Sequence, residues 1–328
     1  MPIGVVLPTR NSAAYLPRHL ESMRSWADLV QEIVVVDSFS TDGTLELLKT
    51  GLNHEKVTVV THPPGLYQSW NHGIAKITAP YVYISTVGDT VTREGLQRFC
   101  QTAQKLDCDV VLSKPNFFFP TGNRLRDIHW PIDEIITNLS IKRPRRLKKT
   151  EALLFAMTSI GGAMTGSCAS DLFRTKALQQ YPFPTEFGVA GDGAWGIKYA
   201  AYVSWAVEPG RFSTFLKHPR SLSETDRKSG EQSIAWEELA RQAVESAKRD
   251  GVLSPEDCAD LKIEELMQEL AEYQKQKKAF DGWRRGAFPW ILNPAAWRRR
   301  VRRNRAARRL REIKAESLMA VSMGREKE

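Results

Sequence analysis

Apolar and polar positions alternate regularly along the first third of the chain. Five short runs are rich in β-branched residues, as buried strands are. Four segments between them carry an apolar residue every three or four positions, which is typical of amphipathic helices. The five runs are IGVVLPT, EIVVVD, KVTVVTH, YVYIST and DVVLSK. This alternation predicts a parallel sheet with helices on both faces.

Sheets of this kind bind ligands in the crevice beyond the carboxyl ends of their strands. Four polar or glycine-containing segments follow the predicted strands, at residues 8–11, 37–38, 62–65 and 88–89. We therefore expect these four segments to converge on one ligand site.

The rest of the chain is less regular. GGAMTGSCASDLFRTKAL predicts a loop of small residues that leads into a helix, and GVAGDGAWGIKYAAYV places a carboxylate in a glycine-rich turn before another helix. The polar stretch KHPRSLSETDRKSGEQS predicts a domain boundary. We assign residues 1–225 to a first domain and residues 226–328 to a helical extension. In the extension, Ser254 and Pro255 predict the start of one helix. Its predicted apolar face consists of Ile263, Leu266, Met267, Leu270 and Tyr273.

The composition favours a protein of the cytoplasm. The four cysteines are scattered without a C-x-x-C pair, so we expect neither disulfides nor a zinc site. No apolar run approaches the roughly 18 residues of a membrane span. The opening MPIGVVLPT has no basic segment before its apolar run and predicts a first strand rather than a signal peptide.

The positive charge is concentrated near the end of the chain. The net charge is +9, but the segment from Trp283 to Arg311 holds eleven arginines and no lysine, aspartate or glutamate. Without these arginines, 36 basic and 38 acidic residues leave a net charge of −2. This asymmetry indicates an anionic partner for the C-terminal segment.

Several motifs in sequence order resemble those of family-2 glycosyltransferases, which have a GT-A fold. VVLPTRN and EIVVVDSFSTDGT are similar to the nucleotide-binding half, and SWNHGIAKITAPYVYISTVGDT is similar to the stretch that carries the D-x-D-D motif. TGSCASDLFRTKAL and GDGAWGIKYA resemble the acceptor half. The resemblance covers about the first 225 residues. It implies an α/β, GT-A type nucleotide-binding fold with a mostly parallel central sheet, followed here by a C-terminal helical extension.

The chain departs from the family pattern at three positions. The D-x-D-D motif falls on residues 86–89, where Gly88 replaces the usual metal-binding aspartate and Asp89 remains. Trp70 replaces the arginine of R-N-x-G. The acidic pair before the late helix is reduced to Asp192 between two glycines.

The resemblance implies a nucleotide-sugar donor. Asp37 is implied to contact the base or ribose, whose N–H and O–H groups suit a carboxylate acceptor. The alternative is that Asp37 caps the helix that starts near Asp42. The residues implied to bind or surround the donor are Pro8, Thr9, Asn11, Asp37, Asn71, Gly73, Gly88 and Asp89.

The departing diphosphate needs positive charge, which a divalent cation such as Mn²⁺ or Mg²⁺ usually supplies. Magnesium can use one or two carboxylates together with substrate phosphates. Asp89 is therefore a candidate metal ligand, with His218 as a second. Asp89 could instead cap the helix that starts near Arg93. A solution without metal would use a cationic side chain such as Arg10 or Lys217.

Asp192 is the candidate general base. Flanking glycines allow close approach of the backbone to a substrate, and a carboxylate can take the proton of an acceptor hydroxyl. The alternative is a turn aspartate that bonds its own backbone. We predict transfer of a sugar, with inversion, to a glycan or lipid-linked acceptor. The second hypothesis is a degenerate domain that binds a nucleotide sugar or glycan without turnover.

The arginine-rich segment favours an anionic membrane surface as its partner. Tryptophans and other apolar residues lie among the arginines, as is typical of lipid interfaces. Arginines lie nearly all around the predicted helix, and no known nucleic-acid-recognition motif accompanies them. We therefore do not expect nucleic-acid binding. A solvated helix is the remaining alternative. We expect a cytoplasmic protein that is peripheral on the inner membrane face.

Overall fold

A computed structural model describes residues 2–52, 54–119, 121–124, 128–159, 164–217, 235–286 and 294–323. The predicted metal ligand His218 and most of the predicted domain boundary lie outside these residues. The division at residue 225 therefore stays a prediction.

The described residues form a large mixed sheet and a small one. The large sheet has the order β3-β2-β1-β4-β9-β6-β10-β8, and the small one has the order β5-β11-β7. The strands are β1 (Ile3–Thr9), β2 (Val30–Asp37), β3 (Val57–Thr61), β4 (Tyr81–Ile84), β5 (Thr90–Val91), β6 (Val110–Leu112), β7 (Asn116–Phe118), β8 (Arg145–Arg146), β9 (Asp171–Arg174), β10 (Trp205–Val207) and β11 (Ser213–Leu216). Strands β1 to β4 pair in parallel, as β6 does with β10. The predicted fold class is confirmed.

The helices connect these strands and then form the C-terminal extension. They are α1 (Leu16–Arg24), α2 (Thr44–Gly51), α3 (Leu66–Ile74), α4 (Arg93–Lys105), α5 (Pro131–Asn138), α6 (Lys149–Thr158), α7 (Thr175–Gln180), α8 (Gly191–Tyr199), α9 (Trp236–Arg249), α10 (Pro255–Asp260), α11 (Ile263–Gly286) and α12 (Pro294–Met323). None of the described helices has an apolar stretch long enough to cross a membrane.

Strand β9 corrects the prediction of a loop that leads directly into a helix. It lies between β4 and β6 and is antiparallel to both. Only Leu172 and Phe173 are apolar in this short strand, so no alternation was visible in the sequence. Its pairing depends on residues far away along the chain. At its end, Arg174 forms ion pairs with Asp107 and Asp109 at 2.7 and 2.8 Å.

Two apolar layers cover the sheet. One layer contains Trp26, Tyr83 and Phe99 and lies on the side of α1 and α4. The other contains Phe173 and Trp195 and lies on the side of α3, α6 and α8. Each of these aromatic side chains is at most 1% exposed, so both faces of the sheet are sealed from water.

The C-terminal helices pack on this body. Leu239 and Val244 of α9 belong to the same apolar cluster as Trp195 of α8. Helices α11 and α12 run antiparallel, since Lys262 pairs with Glu316 at 2.6 Å and Arg309 pairs with Glu269 at 3.5 Å. The sequence predicted a single helix after Ser254, but the structure has two helices there, α10 and α11.

The break between α10 and α11 falls at Lys262, whose φ of 49° lies in the left-handed region. The predicted apolar face of α11 is confirmed. Ile263, Leu266 and Leu270 are all buried, and Met267 and Tyr273 are half-buried.

Candidate functional site

The ends of β1 and β2 are joined by hydrogen bonds around Asp37. This carboxylate is fully buried and accepts from the Thr9 hydroxyl at 3.0 Å. It also accepts from the backbone N–H and the hydroxyl of Ser40, at 2.9 and 2.5 Å. Asn11 joins the same two loops, because its side-chain oxygen accepts from Thr41 N–H at 2.9 Å. The sequence thus placed Thr9, Asn11 and Asp37 correctly in one cluster.

The helix-capping alternative for Asp37 is not seen. Helix α2 begins after Gly43, and the carboxylate of Asp42 accepts from the Thr44 N–H at 3.2 Å and from its hydroxyl at 2.5 Å. Asp42 therefore orders the start of α2. Asp37 instead holds the loop through Ser40.

Phe39 lies at the rim of this cluster and was missed in the sequence. Its ring is 60% exposed, although it stands between two buried or half-buried serines. Its φ of 56° is in the left-handed region, which is strained for a bulky residue. An exposed aromatic ring in a strained turn beside Asp37 offers a surface on which a planar base can stack. Pro8 is in β1 opposite Val36 and contributes no side-chain hydrogen bond.

Asn71 and Gly73 make packing contacts, and their predicted place around the donor stays a prediction. The Asn71 amide donates to the Phe183 carbonyl at 2.7 Å and accepts from the Phe183 N–H at 3.0 Å. A Cβ on Gly73 would lie 2.6 Å from Val6 and 2.9 Å from Val36, so this glycine allows α3 to pack closely on the sheet.

Asp89 follows β4 in a turn that Gly88 permits with a φ of 104°. One carboxylate oxygen accepts from the Leu216 N–H at 2.8 Å and the other from the Ser167 hydroxyl at 3.2 Å. Burial raises the pKa of Asp89 to about 7, against the opposing effect of these two donors. Asp89 does not cap α4, because Thr92 accepts from Gly95 N–H at the start of that helix.

The fit of a metal at Asp89 can be judged from its donor set. Among the described residues, no group of three His, Cys, Asp or Glu side chains is arranged to hold a metal ion. The Asp89 carboxylate still has lone pairs beyond its two hydrogen bonds, and the residue as a whole is partly exposed. It can serve magnesium only together with phosphate oxygens and water.

Asp192 is in the first turn of α8 and is partly exposed. Its carboxylate accepts from the Gly193 N–H at 2.7 Å. This bond is the one that the turn alternative expected, and it leaves the second oxygen for another partner. Burial raises the pKa of Asp192 to about 6, while the Gly193 N–H and the Tyr67 hydroxyl oppose this rise.

Asp89 accepts from Ser167, and Asp192 lies near Cys168 and Asp171 of the same segment. The Cys168 thiol has a raised pKa, because it is buried and because Asp171, Asp192 and Asp89 place negative charge near it. Asp171 was not recognised in the sequence, where a single aspartate between small residues gave no signal. The crevice therefore contains a polar cluster at β1 and β2 and an acidic cluster at β4 and β9.

A mostly parallel sheet with these two clusters at its strand ends defines a nucleotide-binding fold of the GT-A class. The chain is similar in structure to S. aureus TarS residues 1–349 in complex with UDP-GlcNAc, with a TM-score of 0.60 and 16% identity over 99% of this chain and 92% of that one. For the complex of TarS with UDP, the TM-score is 0.51, with 16% identity over 100% of this chain and 92% of that one.

The family described as Glycosyl transferase family 2 matches residues 4–168, which is half of the chain. The chain therefore belongs to glycosyl transferase family 2, and the predicted family and enzyme class are confirmed. Glycosyltransferase GlyG of Streptococcus pneumoniae serotype 4 is 29% identical over 128 residues. That match spans 36% of this chain and 42% of the relative, so less than half of the relative's length is represented.

Proposed function

We propose that this protein transfers a sugar from a nucleotide-sugar donor to a hydroxyl of a glycan or lipid-linked acceptor, with inversion. The observation that carries the proposal is the pairing of a nucleotide-type cluster around Asp37 with a carboxylate of raised pKa, Asp192, along one crevice. A general base whose pKa lies near the working pH is ionised in a large fraction of the molecules and is still basic enough to accept a proton.

In the proposed reaction, Asp192 accepts the proton of the acceptor hydroxyl. The acceptor oxygen forms a bond to the anomeric carbon while the bond from that carbon to the diphosphate breaks. Attack from the face opposite the leaving group inverts the configuration. Negative charge then increases on the diphosphate. A divalent cation held by Asp89 and the phosphates would offset that charge.

We place the nucleotide at the cluster of Thr9, Asn11 and Asp37, with its base against Phe39. The TarS structures contain UDP and UDP-GlcNAc. Uridine-diphosphate sugars are therefore the first donors to test. In this position the diphosphate would point toward Asp89, in the turn after β4; β4 and β2 are two strands apart in the sheet, a spacing of about 10 Å between the strands.

Calorimetric titration with a panel of nucleoside diphosphates and their sugars tests the donor site, and release of the nucleoside diphosphate tests turnover. We expect one nucleotide to bind and its sugar conjugate to be consumed when an acceptor is present. Binding without turnover by any acceptor extract would support the degenerate-domain hypothesis. Absence of binding across the panel would contradict the transferase proposal and would leave the degenerate domain only as a binder of glycans.

The role of Asp89 can be separated from that of Asp192. We expect Mn²⁺ or Mg²⁺ to strengthen nucleotide binding in the wild type and in Asp192→Ala, and to have no effect in Asp89→Ala. The reason is that Asp89 is the carboxylate predicted to join the cation and the diphosphate. Titrations with the cation and then with a chelator measure this difference. Equal binding by all three proteins in both conditions would rule out the metal role.

We also propose that α12 contacts an anionic membrane surface. Trp297 and Val301 are 68% and 41% exposed and lie one helical turn apart. Continuing the same stripe, Arg305 and Arg308 are exposed as well. Exposed apolar side chains in line with arginines suit the boundary between lipid headgroups and acyl chains.

Sedimentation with vesicles tests this surface. We expect binding to vesicles that contain an anionic lipid and none to neutral vesicles. Removing three charges on or beside this stripe, with Arg298→Gln, Arg305→Gln and Arg308→Gln, should weaken binding about 100-fold, since each charge near the surface contributes about 1 kcal/mol.

A matched control removes three exposed charges elsewhere, with Lys105→Gln, Lys142→Gln and Arg143→Gln. It should bind vesicles like the wild type. Equal weakening in both triple variants would indicate an effect of net charge alone. Salt-sensitive binding to oligonucleotides but not to vesicles would contradict the membrane proposal.

A further inference from the structure

Asp171 lies at the crevice edge of the sheet. Strand β9 runs antiparallel to β6, and its first residue, Asp171, pairs with Leu112, the last residue of β6. The carboxyl ends of the parallel strands form the floor of the ligand crevice. Asp171 therefore lies in that floor, at the entry of the strand that sequence reasoning missed.

The side chain of Asp171 is on the α8 side of the sheet. Residues two apart in a strand point to the same face. Phe173 contacts Phe183 and Trp195, with ring centroids 6.0 and 5.9 Å apart. Trp195 belongs to α8 and follows Asp192 by three residues. Asp171 consequently lies below the first turn of α8, which carries Asp192.

Nothing described around Asp171 balances a negative charge. The residue is 0% exposed, and neither carboxyl oxygen has a hydrogen-bond partner among the described residues. The titratable groups recorded near it are Tyr83 from β4, Cys168 from the preceding turn and Asp192 from α8. Just after β6, the backbone N–H of Ser113 lies near enough to favour the ionised form but does not form a hydrogen bond of normal geometry. An unpaired buried charge is strongly unfavourable, whereas the neutral acid is tolerated.

Burial and the charge of Asp192 together raise the pKa of Asp171 well above its usual range, and the Ser113 N–H opposes this rise. Burial also raises the pKa of Asp192, but only to about 6, because its surroundings differ from those of Asp171. Asp192 is partly exposed and accepts from Gly193 N–H at the N-terminus of α8, where the helix dipole favours an anion.

We propose that Asp171 is a second titrating residue of the site, which carries a proton while Asp192 is ionised, so that the pair holds a single negative charge. The inference rests on the proposed role of Asp192 as the base. During transfer the acceptor's proton moves to Asp192 and Asp171 keeps its own. Loss of the Asp171 proton at alkaline pH places a second anion in the crevice, where the departing diphosphate is already gaining negative charge. Asp171 is thus a positioning residue that sets the upper pH limit of the reaction.

Denaturant unfolding between about pH 6 and pH 8 tests the proton on Asp171 without any substrate. An unfolded aspartate has lost its proton in this range, because its pKa is about 3.9. A folded chain that keeps the proton binds one proton more than the unfolded chain, so its stability falls as the pH rises.

For each unit of pH, the unfolding equilibrium constant of the wild type should rise by a factor about ten times larger than that of Asp171→Asn, which cannot titrate at this position. Asp260→Asn removes an exposed carboxylate of α10 and should keep the wild-type slope. Should Asp171→Asn fail to fold, Asp171→Ser carries the same expectation. Equal slopes in the wild type and the Asp171 variant overturn the proposal.

The pH profile of transfer tests the consequence for the reaction. The wild type should lose activity below about pH 6, where Asp192 is protonated, and again at alkaline pH. Asp171→Asn should lose activity at the same acidic pH as the wild type. At the alkaline pH where the activity of the wild type has fallen about tenfold, the variant should still be active. Identical alkaline limbs overturn the role in transfer. A difference in stability slope without transfer by either protein supports the proton on Asp171 and contradicts the proposed function instead.

Discussion

Replacing Asp192 by asparagine should lower the rate of sugar transfer about 10²- to 10⁴-fold, the range that a positioned general base contributes. Asparagine keeps the size of the side chain and can still accept from Gly193 N–H, but it cannot take a proton from the acceptor. Single-turnover transfer with a saturating donor measures this loss. Donor affinity should change little, because Asp192 belongs to the acidic cluster at β9 and not to the nucleotide cluster at β1 and β2.

The matched control for Asp192 is Glu186→Gln, which removes an exposed carboxylate from the loop before α8. Its transfer rate should equal that of the wild type. Full activity of Asp192→Asn would show that another group accepts the proton. A parallel loss of donor affinity would show that Asp192 belongs to the donor site.

Replacing Asp37 by asparagine should weaken nucleotide binding about 10- to 100-fold. A hydrogen bond to a charged group contributes about 1.5–3 kcal/mol, and each 1.4 kcal/mol is a factor of ten. The substitution removes the charge and also disturbs the loop, because an amide nitrogen cannot accept from the Ser40 N–H or hydroxyl. Calorimetric titration with the nucleotide identified by the panel measures the loss.

Asp42→Asn separates the two contributions. Asp42 orders the neighbouring loop through Ala13 and Thr44 but makes no bond with Asp37. We expect its nucleotide affinity to stay within about threefold of the wild type, below the 1 kcal/mol of a typical neutral hydrogen bond. Equal losses in Asp37→Asn and Asp42→Asn would assign the effect to loop order and not to contact with the nucleotide.

The fold of the first third could be predicted because its strands are long, apolar and separated by regular helices. The same pattern predicted where Asp37 and Asp89 would lie, since Asp37 ends one strand, Asp89 follows another, and the carboxyl ends of these strands share one edge. Strand β9 could not be predicted, because it has only four residues, and its two adjacent apolar positions show no alternation of apolar and polar residues. Its place is decided by pairing with β4 and β6, and Asp171 was missed together with it.

The spacing of the motifs predicted which part of the fold a residue lies in, but not the direction in which its side chain points. Asn71 and Gly73 match the family pattern at the expected positions, yet the structure turns one toward the Phe183 backbone and the other toward Val6 and Val36. The aromatic residue that replaces arginine in the same motif, Trp70, packs against Tyr67 and Phe183. An apolar side chain at this position removes a charge from the crevice and adds to the core under α3.

The far end of α12 is fixed to the body of the enzyme. Lys314 bonds Glu134 of α5 at 2.6 Å and lies over the Phe155 ring of α6, and Lys148 bonds the Val321 carbonyl at 2.8 Å. The arginine-bearing half of α12 continues from these contacts as one unbroken helix of 30 residues, about 45 Å long. Any surface that it touches is thereby kept at a constant height and orientation relative to the crevice. The chain would then act on acceptors at a defined distance from that surface, because the rigid helix sets the position of the crevice.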